Sequence, residues 1–314
     1  MESPEASDIL SRFSSFTIAH PRFKNAIDII TEAIETTQDR NEPSSVLLLG
    51  DAGTGKTRIC EILTARLGGT RVVRSEDNVT VVRPVISCGV PPNATIKGLV
   101  DRILKELGSA RNNHPLSILE NRLFTLLTTC DTKIIILDEW QHLVSRGAEP
   151  TRNSVCNWVK VLTNTFKGTV ILSGTSASEL IVDDDDQLAG RFPFRAYLYN
   201  FSLSTPEDMD IYATLLAAFS GEIRRSMPFD ETPALCDEEN MLGLFAFSAG
   251  NLRFIRLVLH AALKHALERN NRLFLCSDLA YAATRIHAPK RLTTKNPFEL
   301  TLEQLQKIIC RTNE

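Results

Sequence analysis

The run Gly50-Asp51-Ala52-Gly53-Thr54-Gly55-Lys56-Thr57 constrains the fold of this chain more than any other stretch. It fits G-x-x-x-x-G-K-[ST], directly after the apolar residues 46–49 and directly before a helical stretch at 58–67, so the motif sits in a strand–turn–helix setting. Glycines let backbone N–H groups wrap phosphates closely, and the helix N-terminus adds partial positive charge. The backbone from Gly50 to Arg58 forms the cradle, Lys56 reaches the terminal phosphates, and Thr57 ligates magnesium. The expected cofactors are ATP and Mg2+.

A second constraint is the segment KIIILDEWQHL, which places Asp138 and Glu139 at the carboxyl end of a buried strand, where α/β sheets bind ligands. Asp138 would hold magnesium through water, and Glu139 would orient or deprotonate the attacking water. Trp140, Gln141 and His142 read as a helix start with a packed Trp. In VILSGTSAS, Ser173 or Thr175 could hydrogen-bond the terminal phosphate or the water, and Thr175 is favoured.

Apolar runs at 46–49, 79–86, 134–137, 170–172 and 196–201 alternate with helical stretches, which suits a parallel sheet covered on both faces. The expected fold is therefore α/β, a P-loop αβα core with a parallel five-stranded sheet followed by a small all-helical lid. Its boundaries fall at 1–19 for a loosely held tail, 20–203 for the core, 204–289 for the lid and 290–314 for a basic tail. A helix with Phe23, Ile27, Ile30 and Ile34 on one face leads into the first strand. The formal net charge of −3 argues against wholesale coating of nucleic acid, so DNA contact must come from a patch. Seven widely spaced cysteines without C-x-x-C pairs read as reduced thiols. Neither a membrane span nor a secretory signal is visible, and the expected location is cytoplasmic, in a bacterium.

The glycine turn, the acidic strand end, the polar strand end at Thr175, GRF at 190–192 and GNLR at 250–253 appear in the order found in the AAA+ superfamily, which the chain resembles from about residue 20 to 286. HPRFKNAIDII, GDAGTGKTRI, PPNATIKGL, ILDEWQHL and SGT followed by GRF make it similar to the TniB/TnsC-type transposition ATPases. The resemblance implies that Arg191, with Arg195 as fallback, reaches a neighbouring subunit's nucleotide. It further implies that Arg253 senses the γ-phosphate from the lid and that His20, with Phe23, approaches the adenine. Arg256, His260 and Lys264 share a helix face with Arg253 and read as solvated.

The resemblance also implies ATP-dependent assembly with itself into a ring or filament around duplex DNA. A transposase and a TniQ-type target-selection protein are the implied partners, and hydrolysis resets the assembly. Residues 83–111 hold Arg83, Lys97, Arg102, Lys105 and Arg111 against Asp101 and Glu106, and in the family this region faces the bore. Lys97 and Arg102, then Ser117, are the expected phosphate contacts.

Two other readings use the same motif. A replication initiator or helicase loader shares core and lid, but the roughly 25 residues after Pro289 are too few for a winged helix. A GTPase or small-molecule kinase lacks support, since no N-K-x-D guanine motif is present and a kinase has no need of both Arg191 and Arg253.

Overall fold

The computed structural model describes residues 4–40, 42, 44–74, 79–92, 94–109, 113–144 and 149–311. The chain begins with helix α1 (Pro4–Ser15) and continues through α2 (Pro21–Arg40), β1 (Val46–Leu49), α3 (Lys56–Arg66), β2 (Arg71–Arg74), β3 (Val79–Val82) and β4 (Val85–Gly89). Then come α4 (Ile96–Glu106), α5 (Leu116–Thr129), β5 (Ile134–Asp138), a 3-10 turn (Trp140–Val144), α6 (Glu149–Thr165) and β6 (Thr169–Gly174). Two short helices, α7 (Ala177–Asp183) and α8 (Asp186–Ala189), precede β7 (Phe194–Tyr197). The remainder is helical: α9 (Pro206–Ser226), α10 (Glu238–Ser248), α11 (Leu252–Arg269), α12 (Cys276–Arg285), a 3-10 turn (Pro297–Glu299) and α13 (Leu302–Cys310).

Two compact units result, one of residues 22–199 and one joining residues 1–21 to 200–314. In the first, five parallel strands run in the order β4-β5-β6-β1-β7. Successive strand residues face opposite sides, so each apolar strand feeds two cores. Leu47, Leu49, Ile135, Leu137, Val170 and Leu172 pack under α4, α5 and α6, whereas Val46, Leu48, Ile134, Ile136 and Ile171 pack under α2 and α3. Burial on both faces explains why these runs are apolar at every position. It also brings the carboxyl ends of β1, β5 and β6 to one edge of the sheet.

The expected strand at 79–86 is two strands. Arg83-Pro84 interrupts it, since Pro84 has no N–H for a ladder. β3 pairs antiparallel with β2 in a separate ribbon whose Val72, Val73, Val79 and Val81 are exposed, and only β4 joins the main sheet. The last strand is likewise Phe194–Tyr197 rather than 196–201.

In the helical unit both expected tails differ from expectation. Residues of the N-terminal segment form α1, because Leu10 and Phe13, three apart, share a face and are buried in one core with Phe219, Val258 and Leu259. Arg256 and His260, expected to be solvated, secure that helix. Arg256 donates to Ser14 O at 3.1 Å and to Phe16 O, and its guanidinium lies 5.5 Å from the centre of the Phe219 ring. Ser14 Oγ and His260 Nδ1 are 3.1 Å apart. Beyond Pro289, the Pro297–Glu299 turn and α13 pack on α10: Leu305 and Ile309 are buried, and Phe298 lies where a Cβ on Gly243 would meet it at 3.2 Å. That stretch therefore completes the core of its unit. Among the described residues no single helix is long and apolar enough to cross a membrane.

Candidate active site

The glycine loop leaves β1 at the carboxyl edge of the sheet. Gly50 approaches the neighbouring backbone so closely that a Cβ would overlap Leu198 O, and Gly50 N donates to Gly174 O at 3.0 Å. Gly53 and Gly55 have φ of 87° and 110°, backbone that side-chain-bearing residues rarely adopt. Gly55 is the N-cap of α3, and the Phe23 ring packs 3.7 Å from where its Cβ would be. Phe23 is buried with Ala26, Ile27 and Ile30, so packing accounts for it. Thr54 Oγ1 closes the loop on Asp51 O at 2.8 Å. Lys56 Nζ lies across the loop, donating to Gly50 O at 2.6 Å and Asp51 O at 3.0 Å. Ala52 and Thr57 are exposed, and Arg58 points outward to Glu61 at 2.6 Å.

Asp138 ends β5, half-buried, and its Oδ1 accepts from Ser173 Oγ at 2.7 Å and from Glu139 N at 2.9 Å. Ser173 is the residue before Gly174, so an unbroken relay runs from Gly50 through the end of β6 to Asp138. The two motifs, far apart in sequence, are neighbours in space. The Cys60 thiol on α3 reports the same proximity: it is pushed up to about 12, first by burial and then by the Asp138 carboxylate, with Lys56 opposing.

Glu139 adopts a left-handed φ of 58°, which for a residue with a side chain costs on the order of 1–2 kcal/mol. Its carboxylate accepts from Gln141 Nε2, and His142 Nε2 is 3.8 Å away. Trp140 is fully buried, as expected of a packing residue. Thr175, the favoured polar sensor, is half-buried just past β6 and donates its backbone N–H to Gln141 Oε1 at 3.2 Å. The hydroxyl bonded to Asp138 belongs to Ser173, the other residue weighed at this position.

Arg191 stands at the opposite edge of the sheet. Its carbonyl accepts from Ser45 N at 3.1 Å, ahead of β1, so about 13 Å of strand separates that edge from the glycine loop. Its guanidinium bonds Gln187 O at 2.5 Å and Asn164 Oδ1 at 3.2 Å. Arg195 is tied to Asp183 at 2.6 Å and Glu179 at 3.5 Å. In the helical unit, Arg253 is exposed in the first turn of α11, where Asn251 Oδ1 caps its N–H at 3.1 Å. His20 is buried there, edge-on to Phe201 at 4.9 Å.

The basic strip maps chiefly to α4. Lys97 Nζ reaches Asn113 Oδ1 at 3.3 Å, and exposed Arg102 donates to Gly89 O at 3.0 Å. Arg102 and Lys105 line a groove of about 810 Å³ between α4 and β4. Arg83 donates to Glu106 O at 2.7 Å, which gives it a capping role at the end of α4. Ser117 is exposed in the first turn of α5, and Arg111 lies outside the described residues.

The donor set fits a magnesium nucleotide. Among the described residues no cluster of three or more His, Cys, Asp or Glu could hold a metal alone, and magnesium on a P-loop needs no such cage because phosphates and water fill most of its sphere. Thr57, in the first turn of α3, and Asp138, at the end of β5, are the side chains that would complete it, and the left-handed glycines give the loop the backbone that a phosphate cradle needs.

In fold, the chain is similar to the Orc1 protein of Aeropyrum pernix solved in complex with DNA, with 15% identity, a TM-score of 0.59, and coverage of 100% of this chain and 88% of that one. Cdc6p of Pyrobaculum aerophilum aligns with 11% identity and a TM-score of 0.60 over 89% of this chain and 71% of that one. Drosophila ORC bound to DNA aligns with 14% identity and a TM-score of 0.58 over 93% and 68%. These likenesses establish the fold, a parallel five-stranded core followed by a helical region. No curated protein sequence matches the chain. The family model for the bacterial TniB protein matches residues 11–203, well over half of the sequence and the whole of the sheet, and the chain therefore belongs to the TniB family.

Proposed function

We propose that this chain is an ATPase that assembles with itself on duplex DNA, marks a target site and recruits a transposase, with hydrolysis driving disassembly. The observation that carries the ATPase reading is the relay from Gly50 through Gly174 and Ser173 to Asp138, which joins phosphate loop and acidic strand end. Bound Mg·ATP would supply the γ-phosphate as electrophile, with the metal offsetting its charge. The cradle N–H groups from Gly50 to Arg58 and the Lys56 ammonium bind the phosphates. Thr57 and Asp138 hold the metal, Ser173 fixes the Asp138 carboxylate, and Glu139 orients water and takes its proton.

Arg191 faces away from its own loop, which suits an arginine that serves the next subunit's nucleotide, so turnover belongs to the assembly. Arg253 and His20 are assigned to γ-phosphate sensing and the adenine side. DNA binding rests on TniB membership and on Lys97, Arg102 and Ser117 as backbone contacts; a TniQ-type protein is the further partner, in a bacterial cytoplasm. The likeness to Orc1 and Cdc6p supports an initiator or loader as the second reading.

The test is electron microscopy of the purified protein with duplex DNA, with and without a non-hydrolysable ATP analogue. Nucleotide-dependent rings or filaments on DNA are expected, persisting in Glu139→Gln with hydrolysable ATP. A monomer indifferent to DNA and nucleotide would end the reading. Activation of a transposase, rather than loading of a helicase, separates the two readings.

A further inference from the structure

Helix-start packing gives Trp140 a purpose but leaves its neighbour Gln141 unexplained. The Gln141 amide touches two elements at once. Its Nε2 donates to Glu139 Oε2, while its Oε1 accepts from Thr175 N at 3.2 Å and from Ser178 Oγ of α7 at 3.5 Å. The orientation of the amide is forced by chemistry, because a backbone N–H can only donate and a carboxylate can only accept.

Gly174 keeps the space for this amide. A Cβ there would come within 2.5 Å of Gln141 Oε1 and overlap the Ser178 hydroxyl. Gly174 is not among the positive-φ residues, so close approach, not torsion, demands glycine. The end of β6 is thus shaped around the Gln141 side chain. His142 Nε2, at 3.8 Å, is too far from Glu139 Oε2 for a hydrogen bond. The amide is what holds this carboxylate oxygen among the described contacts.

We propose that Gln141 is a positioning residue for Glu139, fixing its carboxylate relative to the carboxyl end of β6; this rests on the reading of Glu139 as the residue that orients the attacking water. With Oε2 held, Oε1 is presented to water in one orientation. Misplacing a reacting group by about 1 Å can cost a factor of about 100 in rate. Because Thr175 N is the other end of the tether, a shift at the end of β6 is passed directly to Glu139.

Gln141→Glu keeps length and an acceptor for Thr175 N–H, loses the hydrogen bond to Glu139 and sets a second carboxylate against it, so both changes push the Glu139 side chain from its place. The expected result is a fall in kcat of about tenfold or more with the KM for ATP and the calorimetric Kd for Mg·ATP unchanged. In a Glu139→Gln background, read by single-turnover hydrolysis, the same substitution should have no further effect, since it acts through a group already removed. Gln141→Met, which keeps the bulk and drops both hydrogen bonds, carries the same cycle if the glutamate variant melts early. Parent-like kcat in both Gln141 variants, with Glu139→Gln impaired, overturns the inference alone. An equal fold-loss in both backgrounds also overturns it, marking an effect independent of Glu139. Parent-like hydrolysis in Glu139→Gln by itself overturns the Glu139 reading and this inference with it.

Discussion

Ser173 Oγ donates to Asp138 Oδ1 at 2.7 Å, from the last turnward residues of one strand to the end of its neighbour. Ser173 is fully buried and Asp138 half-buried, so this hydrogen bond is partly shielded from water and fixes one carboxylate oxygen. A metal-binding carboxylate gains from such an outer partner because it is held in its ligating orientation.

Ser173→Ala therefore should leave the fold intact at a cost of about 1 kcal/mol, the usual net worth of one hydrogen bond. Its larger effect falls on the metal. Half-maximal hydrolysis should require roughly 10-fold more Mg2+, within the range seen when outer-shell partners of metal ligands are removed. A magnesium titration of steady-state hydrolysis checks this, and an unchanged midpoint would separate Ser173 from the metal.

Arg191 supports a mixing experiment. It stands at the sheet edge opposite its own glycine loop, and the proposed role has its guanidinium act on another subunit's nucleotide. Arg191→Ala alone should bind ATP normally and lose turnover in the assembled form, by roughly 10³-fold if it acts as an arginine finger. Glu139→Gln alone should also be slow. Mixed, Glu139→Gln subunits lend their Arg191 to Arg191→Ala neighbours, and the rate at fixed total protein should exceed the sum of the two. A strictly additive rate would place Arg191 outside the reaction.

For DNA, Lys97 is a cleaner probe than Arg102, whose guanidinium also ties down Gly89 O. Lys97→Ala should weaken duplex binding equally across sequences and reduce the slope of log K against log salt by about 1, the signature of one lost phosphate contact. Fluorescence anisotropy at several salt concentrations reads both quantities. An unchanged slope would move the DNA path off α4.

What the sequence reveals here depends on how locally each role is set. The loop from Gly50 to Thr57 and the pair Asp138–Glu139 stand out as candidates because holding phosphate and metal would demand those residue types at contiguous positions, and their proximity follows from the parallel sheet. The alternating cores are legible from unbroken apolar runs. Gln141 is not, since its partners Thr175 and Ser178 are more than thirty residues away and only the sheet order brings them together. The ribbon of β2 and β3 is hidden for a related reason: Val79–Val82 looks like any buried strand until Pro84 redirects the chain. Arg256 and His260 look solvated on a helical wheel because the segment they hold lies some 240 residues earlier.

That last pairing gives a prediction that separates a docked helix from a loose tail. Phe13 is buried to 1% exposure, its ring 5.9 Å from Phe219, so truncating it removes apolar area and leaves a cavity that neighbours fill only in part. Phe13→Ala should cost about 3–5 kcal/mol of stability in chemical denaturation. Arg256→Ala should cost less, about 1–3 kcal/mol, because it loses the hydrogen bonds to Ser14 O and Phe16 O at the end of α1, where helix carbonyls lack partners of their own. Both residues act on one contact, so the double variant should fall short of the sum of the singles. A loosely held tail would show no cost at Phe13 and no coupling to Arg256, and either result would detach α1 from the helical unit.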